Sequence, residues 1–381
     1  MSEALTPQSP TQIAAALAGA AADGRPVRIV GGSTKLGWGR PVPADALRIQ
    51  TSHLNRAIVN GTEGLTATVA GGTPLVRAQA IFARSGRMLA IDPQLGLGQR
   101  PAATIGGVLA TDDSGPLAHR YGPPRAQVIG ISMALSDGTV ARVGPQAGEQ
   151  AGPRDLLALA VGSFGTLGAI VSVEVRLHAL PKRSATALGT SDDPRLLRDA
   201  TLQLHRGTPG LEAFDVAWHE GRGGLLAQLT GEDAGERAAE VANQLAAAGL
   251  DNTAVRNDDA GLWARQRSGQ RSADRAVVRV SARRSQLDQV LRLSDSVGAA
   301  LVGRAALGRF HLTLNVNQVA ALRAGLPPDA TAVVLDLPVS ARGAIEPWGV
   351  EGEPQVELMR RLKARFDPAG ICNPGLFVGG I

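Results

Sequence analysis

"TIGGVLATDDSGPLAHRYG", residues 104–122, brings together two adjacent glycines, the acidic pair Asp112-Asp113, a histidine, an arginine and Tyr121, the one tyrosine in 381 residues. Adjacent glycines let backbone N–H groups converge on an anion with no Cβ in the way. On its own such a stretch reads as a turn. Working outward, two more stretches share its character: "GGSTKLGWG" (31–39) and "VGSFGTLGA" (161–169). Each stands at or beside the end of a predicted strand, and Ser33, Thr34, Ser163, Thr166 and Lys35 add hydroxyl donors and a charge. Three such loops before residue 182 point to a shared anionic ligand. The common nucleotide motifs do not fit it. GxxxxGK[ST] fails because Lys35 is followed by Leu36, and the nearest G-x-G-x-x-G attempt, "GLGQRP" (96–101), ends in proline.

The bulk composition sets limits on the ligand and the compartment. Hydrophobic content of 44% with 19% charged residues fits a packed globular chain, and its length favours two domains. The net charge of +5 is spread over dispersed arginines, with three lysines among 39 basic residues, and aromatics make up only 3%. A nucleic-acid surface wants clustered charge interleaved with stacking rings, so nucleic acid is excluded. A single cysteine, Cys372, excludes an internal disulfide and a Cys-ligated cluster within the chain. The opening "MSEALTPQSP" lacks a signal-peptide order, and no apolar run approaches the roughly 20 residues of a membrane helix. The expectation is a cytoplasmic protein that meets a membrane only through a partner.

Periodicity divides the chain. Residues 11–23 read as an Ala-rich helix capped by Thr11, and "PVRIV" as a strand running into the first loop. "QVIGISMALSDGTVARV" (127–143) reads as a hairpin turned by Asp137-Gly138, and "LGAIVSVEVRLHAL" (167–180) as a strand. After "PKRS" the rhythm becomes two strand–helix–strand units, which imply an antiparallel sheet with helices on one face. The tail is a helix that breaks at Asp367-Pro368. The expected domains are 1–181, 182–345 and a C-terminal segment, 346–381, that returns to the first.

With "FDPAGICNPGLF" (366–377), the three loops closely resemble the FAD-binding oxidoreductases of the vanillyl-alcohol oxidase, or PCMH-type, family. The resemblance implies an α+β fold: a PCMH-type FAD-binding domain of two α+β subdomains, plus a ferredoxin-like α+β cap domain. It implies pyrophosphate contacts from Gly31, Gly32, Ser33, Thr34, Lys35 and Leu36. Flavin and ribityl contacts are implied for Asp92, Pro93, Thr104, Ile105, Gly106, Gly107, Thr111, Ser114 and Gly115, with Tyr121 bracing the loop. Gly162, Thr166, Gly168 and Ile170 fall on the adenine side, and Asn373 near the isoalloxazine. Ser33 and Lys35 stand where relatives carry a tethering histidine, and the second loop has no cysteine. Non-covalent FAD is therefore implied.

The branch that oxidises 2-hydroxy acids carries G-H-x-G-D-G-N-x-H in its cap, with two histidines that bind a divalent metal. The similar stretch here is "GRAALGRFH" (303–311), which keeps His311 but has Arg304, Leu307 and Arg309 at the other polar positions. Arginines repel a cation, so no metal is expected. Arg304, Arg309 and His311 remain the catalytic candidates; the arginines either clamp a substrate carboxylate or pair with a partner's acidic residues. Intact FAD loops without the metal site resemble the FAD-binding E-subunit branch of bacterial glycolate oxidases. That branch implies a paralogous FAD subunit and an iron–sulfur subunit as partners, and a small hydroxy acid as substrate. A stand-alone oxidase passing hydride to flavin N5, and a cofactor-free interaction module, are the alternatives.

Overall fold

The computed structural model describes residues 3–60, 64–97, 102–144, 157, 159–349 and 354–381. The chain begins with a small parallel sheet of β1 (Ala4–Leu5), β2 (Val27–Val30) and β3 (Leu47–Gln50), in the order β1-β3-β2. The helix Pro10–Ala22 covers it, burying Ile13 and Leu17 against Val27 and Ile49. Ser9, not Thr11, caps this helix: its hydroxyl accepts the Gln12 amide, and Pro10 occupies the first turn, where no amide is needed.

A second sheet follows, built from β4 (Ala57–Asn60), β5 (Thr66–Ala70), β7 (Val128–Ala134), β8 (Val140–Val143) and β9 (Ala169–Arg176). Its order is β4-β5-β9-β7-β8 and every neighbouring pair is antiparallel. The short β6 (Arg87–Met88) and β10 (His178–Ala179) pair beside it. The β7–β8 hairpin turns where expected. Gly138 takes a φ of 88° there, and the Asp137 carboxylate accepts both the amide and the hydroxyl of Thr139.

The remaining strands form one eight-stranded antiparallel sheet. They are β11 (Ser184–Ser191), β12 (Ala213–His219), β13 (Arg222–Thr230), β14 (Asp251–Arg256), β15 (Ala276–Ser281), β16 (Ala300–Arg304), β17 (Arg309–Leu314) and β18 (Thr331–Asp336), in the order β14-β11-β13-β12-β16-β17-β15-β18. Three helices, Pro194–Gly207, Ala234–Ala247 and Leu287–Ser296, bury Leu197, Leu204, Val241, Leu245, Val290 and Leu291 on one face. A fourth, Ala260–Ser268, departs from the one-face expectation. Asp259 at its start accepts from Ser184, Thr186 and Gln228, and Trp263 donates to Thr186, whose strand neighbours Ala185 and Ala187 belong to the helix-covered core. Alternation along β11 thus places this helix on the opposite side of the sheet.

The tail returns to β2. After the helix Pro354–Phe366, Val27 donates to Ile371, Asn373 donates to Val27, and Cys372 bridges Val27 in parallel. Lys363 ties this turn down by donating to Asp367, Cys372 and Thr166.

Candidate functional site

The first loop leaves β2 at Val30 and bends at Ser33, a non-glycine with a φ of 59°. None of the amides of residues 31–37 donates to an acceptor among the described residues. The carbonyls are treated in the opposite way. Thr34 accepts from Arg271 at 2.9 Å, Lys35 accepts from the Trp38 amide at 3.1 Å, and Leu36 accepts from Arg28. Backbone with its N–H groups unspent and the neighbouring carbonyls occupied is able to donate to an anion.

The loop has no room for side chains at its start. A Cβ on Gly31 would lie 2.3 Å from Thr104 Oγ1, and one on Gly32 would lie 1.6 Å from the Ala102 carbonyl. The first and second loops therefore touch, and with Gly107, Thr111 and Asn373 they enclose a cleft of about 90 Å³. The cleft adjoins a cavity of about 730 Å³, and Arg28 and Leu36 line both.

The second stretch is partly helical. Thr104 caps a helix spanning Ile105–Thr111, its Oγ1 accepting the Gly107 amide at 3.3 Å. Ile105 and Gly106 are buried and donate to Thr73 and Gly71, so the helix start is anchored on a further glycine pair, Gly71-Gly72. Cβ atoms at Gly71 and Gly72 would meet the Ile170 and Thr51 carbonyls at 2.1 and 1.7 Å. The signal for this pair is "AGG" at a strand end, which on its own marks only where β5 stops.

The third loop is a clasp on this helix. Gly162 and Phe164 donate to the carbonyls of Leu109 and Ala110 in its last turn. Thr166 donates back to Ser163, a Cβ at Gly168 would strike the Ala134 carbonyl at 2.6 Å, and Ile170 is buried in β9. Gly162 thus supports the second stretch, Thr166, Gly168 and Ile170 are held within the third loop and against β7 and the core, and Phe164, not singled out from the sequence, is the third-loop residue on the cleft wall. Asn373, at a φ of 44°, accepts from Ile29 and donates to Phe164, locking three segments together.

The acidic pair of the second stretch is neutralised on both sides. Asp112 pairs with Arg125 at 3.0 Å, and Asp113 with Lys35 at 3.1 Å, where both side chains are 7% exposed. Arg120 and Tyr121 face away from the cleft: both donate to Glu212 of the eight-stranded-sheet domain at 2.7 and 2.8 Å.

That domain reaches the second stretch again at Ser114. Arg304 donates to its carbonyl at 3.1 Å and Arg309 to its hydroxyl at 3.2 Å. Arg304 is fully enclosed and lies 3.5 Å from Asp215, so its acidic counterpart is within the chain and not on a docking partner. Burial pushes Asp215 up to about 7 against the pull of Arg304, and Asp92 up to about 6 against the pull of Arg267. Asp92 accepts the Leu117 amide, packs against Gly115, and with Pro93 lines a separate cavity of about 360 Å³. His311 is buried on β17, where desolvation and then Arg304 and Arg279 hold it well below the usual imidazole range. Among the described residues no three His, Cys, Asp or Glu side chains converge as a metal set.

The match to known proteins follows this geometry. Residues 2–144 match the model of the FAD binding domain, and residues 350–376 that of the C-terminal domain of FAD linked oxidases. A D-lactate dehydrogenase of Archaeoglobus fulgidus is 27% identical over 98% of the chain and 90% of its own length. The glycolate oxidase subunit GlcE of Escherichia coli is 33% identical over 43% of the chain and 46% of its own length. The solved structure of an alkyldihydroxyacetonephosphate synthase superposes with a TM-score of 0.70 at 15% identity, covering 97% of this chain and 75% of that one; the likeness is one of fold.

Proposed function

We propose that this chain, which matches a FAD binding domain over residues 2–144 and shares the fold of an alkyldihydroxyacetonephosphate synthase, is a FAD-linked oxidoreductase and the FAD-binding subunit of a glycolate, or 2-hydroxy-acid, oxidase complex. It holds FAD non-covalently and docks with a paralogous catalytic flavoprotein subunit and an iron–sulfur subunit. The observation that carries the cofactor is the run of unspent amides at 31–37, with the carbonyls of Thr34 and Leu36 held by arginines outside the loop. The partner-dependent part rests on Arg304, which spends its charge on Asp215 and Ser114 at the place where the hydroxy-acid branch keeps a metal-binding histidine.

FAD supplies the two-electron acceptor, and the chain's residues supply its seat. Amides of residues 31–37 and the hydroxyls of Ser33 and Thr34 donate to phosphate oxygens. Asp113 already neutralises Lys35, so most of the attraction comes from backbone dipoles and Arg28. Pro93 and Asp92 offer an apolar edge and an acceptor beside the second stretch, and Ser114, gripped by Arg304 and Arg309, fixes where that stretch meets the cap.

Similarity to a D-lactate dehydrogenase along nearly the whole chain favours a second reading, a stand-alone hydroxy-acid dehydrogenase. One experiment separates the two. The purified chain reconstituted with FAD should show flavin absorption that acid precipitation releases, and glycolate or D-lactate should leave that absorption unbleached unless the partner subunits are added. Bleaching by the isolated chain would establish the second reading, and a chain that stays colourless in excess FAD would sink both.

A further inference from the structure

A carbonyl turned into the cradle at 31–37 would set its lone pairs against a phosphate oxygen and cancel the field of the neighbouring amides. The peptide plane of Thr34 therefore decides whether the loop attracts or repels an anion. That plane is held from outside the loop, by Arg271, which follows the helix Ala260–Ser268 in the second half of the chain. Arg271 is itself fixed. Its Nε and Nη2 donate to the two carboxylate oxygens of Asp336, at the end of β18, at 2.6 and 2.9 Å, and the two side chains are 3% and 8% exposed.

Asp336 also reaches the far end of the loop. Its Oδ1 accepts from Trp38 Nε1 at 2.9 Å, while the Ser272 amide donates to Oδ2. The guanidinium of Arg271 lies 4.9 Å from the centre of the Trp38 ring, and Lys35 Nζ lies 5.4 Å from it. One buried ion pair thus grips the loop at Thr34 and at Trp38 with the phosphate-facing residues strung between.

The geometry points to Arg271 and Asp336 as positioning residues for the phosphate cradle: they set, from the eight-stranded-sheet domain, how tightly the first loop holds a pyrophosphate. This rests on the FAD reading above. Neither side chain need touch the cofactor. They act by removing conformations of the loop in which the Thr34 carbonyl faces the anion, so their loss costs affinity through pre-organisation. The bidentate, planar contact is one that lysine does not reproduce.

The test is equilibrium binding of FAD, followed by flavin fluorescence, to the full chain and its variants. Asp336→Asn and Arg271→Ala should each raise Kd about tenfold or more, and the double variant should be no worse than the weaker single, because the two act as one unit. Trp38→Phe, which removes one donor and keeps a ring, should raise Kd about threefold. Arg283→Ala, from an exposed ion pair of the same domain, should leave Kd unchanged. General damage to the fold would instead lower the number of binding sites and leave the surviving sites at wild-type Kd. Folded variants that bind FAD within twofold of wild type overturn the proposal and leave the FAD reading standing. A wild-type chain that binds no FAD overturns that reading as well. Should Asp336→Asn not fold, Trp38→Phe and Arg271→Lys decide by the same criterion.

Discussion

Asp215 shows what a single buried charge does to this molecule. Its carboxyl titrates near 3.8 when exposed and at about 7 in the fold, chiefly because burial disfavours the charged form. Between those values the folded chain keeps a proton that the unfolded chain releases, so stability falls as pH rises from about 4 to 7 and levels off beyond. Asp92, raised to about 6, adds to the same trend. Denaturant titrations at pH 5 and pH 8 should therefore show the wild type losing roughly 2–4 kcal/mol across the interval. Asp215→Asn should lose clearly less, and an unchanged slope would remove Asp215 as its source. None of this was legible in the sequence. "GRAALGRFH" announced two arginines without a metal set, but the groups that meet them, Asp215 and the carbonyl of Ser114 for Arg304 and the Ser114 hydroxyl for Arg309, are distant in the chain.

Elements with a strong local signal were the ones the sequence revealed. The β7–β8 hairpin follows from Asp137-Gly138 between alternating strands, and the first loop from a strand running into "GGST". The helix Ile105–Thr111 was hidden because a Gly-Gly pair opposes helix formation locally. Its start is secured by the Thr104 cap and by donation to the backbone of Gly71 and Thr73, which propensity does not see. The strand β16 was missed for a similar reason: "ALVGR" is short, and its pairing with β12 and β17 defines it. The helix Pro10–Ala22 offers a test of how far local rules hold. Gly19 has open space where a Cβ would stand, so Gly19→Ala should stabilise the chain by about 0.5–1 kcal/mol. Ser9→Ala should cost about 1 kcal/mol through the lost cap, and thermal unfolding should move in opposite directions for the pair.

Among the described residues, buried polar groups with several partners each join the two halves of the chain. Glu212, 1% exposed as a side chain, accepts from Arg120 and Tyr121 of the first half and from Thr230 of its own sheet. Glu212→Ala would strand those donors, and a loss of about 2–4 kcal/mol in denaturant unfolding is expected, larger than for any exposed ion pair. A loss under 1 kcal/mol would show that the halves are held by apolar packing alone. Seen this way, the first loop is shaped by segments made long after it. Its neighbour Ile29 is bonded to Asn373, 344 residues further along, and both line the cleft, so that wall is incomplete while most of the chain is still unmade. On the FAD reading, flavin added during translation is then expected to be captured only by finished chains, and stable binding by a chain truncated before Asn373 would overturn that expectation.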